Sequence, residues 1–363
     1  MQEYRSSFSD SELAERHAQR AKARRKKQRI RRRRLFFQLL PMIAVVGVLG
    51  VLLTAFTSRD KEDDAPPALQ SVSTALLPEQ PVISDKMPEL DIPYSVSANA
   101  DTLQLSSEID SQYAVVIDLQ SDTILAEKAA DAIISPASMT KVLTLLVGAE
   151  LVEDRLDDTL TMTIDITDYC YVNECSVVGL MVGETVSVRE LLYGTILPSG
   201  ADAAMGLAVY AAGSHEAFVE LMNQKIDELG LSDTAHFTNC VGLYDKEHLC
   251  TVYDMALIMK AAMENELCRK ILDARTYETA PTADHPEGQT LSNWFLRRIE
   301  DKDTGAIEVR YAKTGYVAQA GSCAASCGEN AEGKRFLCVT ANAYSSWRAI
   351  YDHVDLYNAY CQS

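Results

Sequence analysis

The sequence predicts an α+β domain whose sheet joins strands from both ends of one folded region and packs against a cluster of helices. Three observations carry this. Strand-like segments open the region at 112–118 (QYAVVID) and 123–125, with a polar turn between them. Strand-like segments close it at 307–311, 321–325 and 336–341. The stretches between carry apolar residues at helical spacing, as at Phe218, Leu221, Met222 and Ile226.

The chain has 363 residues and a formal net charge of −18, distributed unevenly. Residues 1–34 hold 13 Lys/Arg and 4 Asp/Glu, a net of +9, which leaves a net of −27 on the remainder. So acidic a bulk argues against nucleic acid as a partner. Residues 35–56 form an uncharged run of 22, from LFFQLLPMIAVV to LLTAF. As a helix this run is about 33 Å long, enough to cross a hydrocarbon core of about 30 Å. The arginine-rich side is expected to stay cytoplasmic, placing the rest outside the cell membrane. A cleaved signal peptide would have a shorter apolar region and a less extended basic segment. The expected organisation is therefore a basic cytoplasmic segment (1–34), one transmembrane helix (35–56), an extracytoplasmic linker rich in Ser, Pro and Asp (57–105) and a folded domain (106–363).

In that domain a buried helix is expected after the second strand. Ser135 is placed to cap it, Pro136 suits its first position, and Val142, Leu143, Leu145, Leu146 and Val147 make it apolar on nearly every face. Ser138 and Lys141 lie three apart on its first turn, so hydroxyl and ammonium share a face. Desolvation lowers a lysine pKa, which makes this pair a base beside a nucleophile. Residues 160–190 are mixed and loop-rich; helices follow at 188–196, 203–212, 216–229, with Gly230 as a stop, and 255–263. The Pro198-Ser199-Gly200 turn could cap the helix that follows it.

All nine cysteines (170, 175, 240, 250, 268, 323, 327, 338 and 361) follow the apolar run, and an exported location permits disulfides. Cys170/Cys175 and Cys240/Cys250 are loop-like pairs. Cys327 with Cys338, across a hairpin, is geometrically better than Cys323 with Cys327; free buried cysteines are the alternative. No cluster has zinc-ligand spacing, and no His-Glu-x-x-His occurs.

Three motifs stand in order: Pro136-Ala-Ser138-Met-Thr-Lys141, Ser199-Gly-Ala-Asp-Ala203 and Lys313-Thr314-Gly315. Their order and spacing resemble those of penicillin-recognising serine enzymes. The text between is similar to the D-alanyl-D-alanine carboxypeptidases among low-molecular-mass penicillin-binding proteins, notably in VGETVSVRELLYGTILPSGADAA, FTNCVGL and YAKTGYVAQAGSC. The likeness covers about residues 110–345. It implies a DD-peptidase/β-lactamase-like fold and a peptidoglycan pentapeptide stem as substrate, with β-lactams as covalent inhibitors. No metal or organic cofactor is implied. By resemblance Ser138 is the nucleophile and Lys141 its base, and Ser199 bridges Lys141 and Lys313 and relays the proton. Lys313 and Thr314 take the terminal carboxylate, Gly315 allows close approach, and the amides of Ser138 and Tyr316 hold the oxyanion. Against the resemblance, the β-rich domain and C-terminal amphipathic helix that many relatives carry are expected to be missing, with the N-terminal span in place of that anchor.

One position departs. The family's second motif commonly reads Ser-x-Asn, whereas Ala201 stands here; Asp202, Asn239 or a water could supply the missing amide's contacts. A class A β-lactamase would need a Glu-x-x-Leu-Asn loop, which is absent from the sequence, and Ser138 lacks a Gly-x-Ser-x-Gly elbow. A non-catalytic cell-wall-binding protein is the reading from another class.

Overall fold

The computed structural model describes residues 95–361. The expected basic segment, membrane span and most of the linker lie outside them. Among the described residues no helix is long and apolar enough to cross a membrane.

A six-stranded sheet runs β1(Leu103–Gln104), β3(Thr123–Lys128), β2(Tyr113–Asp118), β10(Arg335–Ala343), β9(Gly321–Glu329), β8(Glu308–Val317) in spatial order. Early and late strands meet where β2 pairs antiparallel with β10, Val115 opposite Val339. The one parallel pair joins β1 to β3. Residues 96–105, linker-like in composition, lie on this edge, with Val96 and Leu105 buried. Both faces of the sheet are covered, so its central strands read as continuous small and apolar runs. On β2, Val115 and Ile117 face one core, whereas Ala114 and Val116 face another.

The first core is the helical cluster: α1(Thr140–Val152), α2(Ile164–Val172), α3(Val188–Ile196), α4(Ala201–Ala212), α5(His215–Glu228), α6(Val252–Glu264) and α7(Glu266–Leu272). Two small antiparallel pairs accompany it, β4(Thr159–Thr161) with β5(Thr185–Ser187) and β6(Thr276–Glu278) with β7(Thr290–Ser292). The helix α1 is central: eleven of its thirteen residues are buried. The second core lies under α8(Leu296–Ile299) and α9(Ser346–Tyr360).

Several expectations are corrected. Ser135 does not cap α1: its buried hydroxyl finds no hydrogen-bond partner among the described residues. A 3-10 turn, Ala137–Met139, precedes the helix instead. Ala137 takes a left-handed φ of 49°, which breaks any helical run from Pro136. The helix α4 begins at Ala201 with Gly200 as its cap, so Ser199 is free of that duty. All nine cysteines are free thiols. Cys327 stands opposite Leu337 and Cys338 opposite Ser326. A one-residue offset between paired strands puts their side chains on opposite faces, and the two sulfurs accordingly lie in different cores. Cys240 packs its sulfur against Ala204 and Met205.

Candidate active site

The turn that carries Ser138 lies between strand β8 and the 239–243 loop. A methyl group added at Gly315 would come within 3.0 Å of the Ser138 amide nitrogen; one at Gly242, where φ is +80°, would meet the Ala137 carbonyl oxygen at 2.0 Å. Gly242 therefore needs to be glycine, Gly315 leaves a side chain only a tight fit, and the turn is approached closely by both. Holding Ala137 left-handed costs about 1–3 kcal/mol for a residue with a Cβ, a strain characteristic of functional turns.

In the first turn of α1, the Lys141 ammonium is almost completely buried. Its Nζ donates to the Val241 carbonyl at 2.6 Å and lies 3.0 Å from Ser138 Oγ. The Ser138 hydroxyl lies 3.5 Å from the same carbonyl. Burial pushes the Lys141 pKa down to about 8, against partial compensation from nearby thiols and Asp202. At neutral pH an appreciable fraction of this amine is therefore neutral, with a lone pair free for the serine proton.

Across the cleft, Lys313 is equally buried. Its Nζ donates to Ser199 Oγ at 2.8 Å and to the Thr314 carbonyl at 2.8 Å. Burial, and then the charge of Lys141, hold its pKa well below the usual lysine value. The two lysines thus each hold one serine. The expected Ser199 bridge is only half present: among the described residues no hydrogen bond joins Ser199 to Lys141. Ser199 itself adopts a left-handed φ of 61°. Ser138, Ser199 and Thr314 remain half-exposed, so the buried ammonium groups are reached from a cleft lined by hydroxyls.

Strand β8 is an edge strand. Its hairpin closes at the Val317–Gly321 pair, and the Thr314 carbonyl is taken by Lys313, so Thr314 and Tyr316 turn their peptide groups away from β9. The Tyr316 N–H thus points out on the side where the Ser138 amide lies against Gly315. Its side chain is 67% exposed.

Ala201 is buried, and its N–H donates to the Ser176 carbonyl at 2.8 Å. Neither proposed substitute for the missing amide is available. Asp202 accepts from the amides of Val178, Gly179, Leu180 and Ala203. Asn239 accepts from the amides of Val241, Gly242 and Leu243 and donates to the Leu243 carbonyl. Asn239 instead aims the Val241 carbonyl at Lys141. Sequence reasoning missed that carbonyl, and the Asn-Cys-Val-Gly turn of 239–242 was the available signal.

Comparison with known proteins bears on this geometry. The family profile described as D-alanyl-D-alanine carboxypeptidase, Peptidase S11, matches residues 97–345. D-alanyl-D-alanine carboxypeptidase DacF of Bacillus subtilis (strain 168) is 32% identical over 222 residues, covering 61% of this chain and 54% of the relative. The D-alanyl-D-alanine carboxypeptidase of Streptomyces sp. (strain K15) is 34% identical over 208 residues, covering 55% of this chain and 70% of the relative. The chain thus spans about half the length of the first relative. The crystal structure of the Streptomyces K15 DD-transpeptidase superposes with a TM-score of 0.62 at 27% identity, covering 69% of this chain and 97% of that one. A D-alanyl-D-alanine carboxypeptidase from Mycobacterium tuberculosis H37Rv gives 0.59 at 25% identity, covering 68% and 90%. The fold is that of the DD-peptidases, and the chain belongs to the D-alanyl-D-alanine carboxypeptidase family of serine peptidases.

Proposed function

We propose that this protein is a serine D-Ala-D-Ala carboxypeptidase that removes the terminal D-alanine from peptidoglycan stem peptides and is acylated by β-lactams. One observation carries the reading: a nearly buried amine, Lys141, at 3.0 Å from the half-exposed Ser138 hydroxyl, with a second buried amine, Lys313, facing it. Lys141 accepts the Ser138 proton as Oγ bonds to the carbonyl carbon of the penultimate D-alanine. The developing oxyanion is met by the amides of Ser138 and Tyr316. The carbon–nitrogen bond then breaks as Ser199 gives its hydroxyl proton to the leaving amine and takes up the proton that Lys141 removed from Ser138. Water cleaves the resulting ester. The free carboxylate of the substrate is taken by Lys313 and Thr314, and its arrival restores the charge that burial suppresses on Lys313. The stem peptide would lie along the open edge of β8, recognised by main-chain bonds to Thr314 and Tyr316.

The apolar run 35–56 and its basic flank support a single-pass anchor, with this domain outside the cell membrane. Ala201 supports a second reading, a weak or inactive homologue that binds cell wall, because the second motif lacks its usual amide. Intact-mass measurement after penicillin treatment separates the two. The carboxypeptidase reading expects one adduct per chain, lost in Ser138→Ala, together with D-alanine release from a pentapeptide. Absence of adduct and of released D-alanine overturns it.

A further inference from the structure

Between the nucleophile and its base stands Thr140, a buried residue that none of the assigned roles uses. Its hydroxyl donates to the Ala137 carbonyl at 2.7 Å and lies 2.8 Å from Nε2 of His248. His248 is fully buried and stands edge-on to Phe237. The Thr238 backbone N–H donates to its Nδ1 at 3.1 Å, and the Asn239 amide nitrogen lies 3.3 Å from the same atom. Nδ1 is therefore the lone-pair nitrogen, and Nε2 carries the proton. That proton goes to Thr140 Oγ1, which leaves the threonine hydrogen only the Ala137 carbonyl to bond. The direction of every bond in this chain is fixed: Thr238 N–H to His248, His248 to Thr140, Thr140 to Ala137.

The Ala137 carbonyl is the point at which the chain ends, and it belongs to the residue held at φ 49° directly before Ser138. Gly242 lies so close to the same carbonyl that an added methyl group would meet its oxygen at 2.0 Å. A rotation of this peptide would swing the Ser138 N–H, which is the other half of the peptide unit, out of the gap between Gly242 and Gly315. Burial keeps the imidazole neutral, with a pKa down to about 3, so the donor pattern persists through the ordinary pH range.

We propose that Thr140 and His248 are positioning residues: together they form a hydrogen-bonded strut that fixes the Ala137–Ser138 peptide and so holds the Ser138 amide and hydroxyl in reacting position. The inference rests on the serine-acylation reading above and extends it to two residues that never meet substrate.

The test compares acylation by a fluorescent penicillin for the wild-type full chain, Thr140→Val and Thr140→Ser. Valine keeps the packing and removes the hydroxyl; serine keeps the hydroxyl and removes a methyl group. The strut expects the rate constant for acylation to fall about 10- to 100-fold in Thr140→Val, with affinity for the preceding non-covalent complex unchanged, and to recover in Thr140→Ser. His248→Phe, confirmed folded by near-UV circular dichroism, should show the valine loss. Should His248→Phe fail to fold, the threonine pair decides alone. A Thr140→Val protein that acylates at the wild-type rate, or a Thr140→Ser protein as slow as Thr140→Val, overturns the strut. Those outcomes leave the carboxypeptidase reading standing, whereas a wild-type chain that takes no label overturns both.

Discussion

The two faces of the sheet treat polar groups in opposite ways. Under α9, the wholly buried Asp352 accepts from the amides of Asp110 and Ser111, the Ser111 hydroxyl and Arg348 Nε. Beside it, His353 lies 2.7 Å from Ser326 Oγ and 3.0 Å from Thr340 Oγ1, and Ser326 also bonds the Tyr357 hydroxyl. Every one of these groups has a partner suited to it. On the helical-cluster face, Lys141 and Lys313 are as deeply buried, yet among the described residues no carboxylate pairs with either. Charge on the α9 side is compensated and inert. On the cluster side neither lysine has a paired carboxylate, so burial lowers both pKa values and makes an amine available for chemistry.

The sharpest way to test that contrast is to remove one group from each face. Lys141→Met should reduce acylation by about 10²–10⁴-fold, the usual worth of a general base, while raising Tm because a desolvated ammonium disappears. A fall in Tm would mean that the lysine is compensated after all. Asp352→Ala should do the reverse. Stripping a buried carboxylate from its donors should cost about 3–5 kcal/mol in chemical denaturation, with the acylation rate per folded molecule unchanged.

A smaller effect is shared by both faces. His248 and His353 are held neutral by burial, each with a pKa down to about 3. Once unfolded, these rings take up a proton near pH 6.5, so the unfolded chain binds more protons between pH 6.5 and 3 and stability falls as pH drops through that window. Each contributes a loss on the order of 3 kcal/mol by pH 4. Thermal melts between pH 7 and pH 4 check this. A Tm independent of pH would show that one or both rings protonate within the folded protein.

Much of this arrangement is legible in the sequence, because its strongest signals are local. Lys313, Thr314 and Gly315 lie together on one strand, Ser138 and Lys141 on one turn, and apolar spacing places α3 and α5 almost to the residue and the centre of α6, whose first three residues it misses. What escapes depends on tertiary partners. The helix α9 is hidden because Asp352 and His353 occupy its buried face, so hydropathy there looks broken; the network that satisfies them comes from residues far away in sequence. The left-handed Ala137 is set by Thr140 and Gly242 rather than by its own preference. The Val241 carbonyl has no letter of its own, and only the Asn-Cys-Val-Gly turn that carries it is written in the sequence.

The sheet's two borders carry one further consequence. At one border β1 is two residues long, too short to recruit another chain; at the other, the ten-residue β8 leaves its outer row of peptide groups without a partner strand, although the Ala312 and Thr314 carbonyls are taken by Asn293 and Lys313. An exposed row of this kind ordinarily invites indiscriminate zippering between molecules. Here it passes beside the buried Lys313 amine, whose charge, on the proposed reading, is restored by a terminating carboxylate. On the proposed reading, a passing strand that continues past Lys313 gains the ladder but forfeits the ion. On that reading the border distinguishes chains that stop from chains that run on, and the feature that lets a short peptide lie down also keeps longer neighbours away.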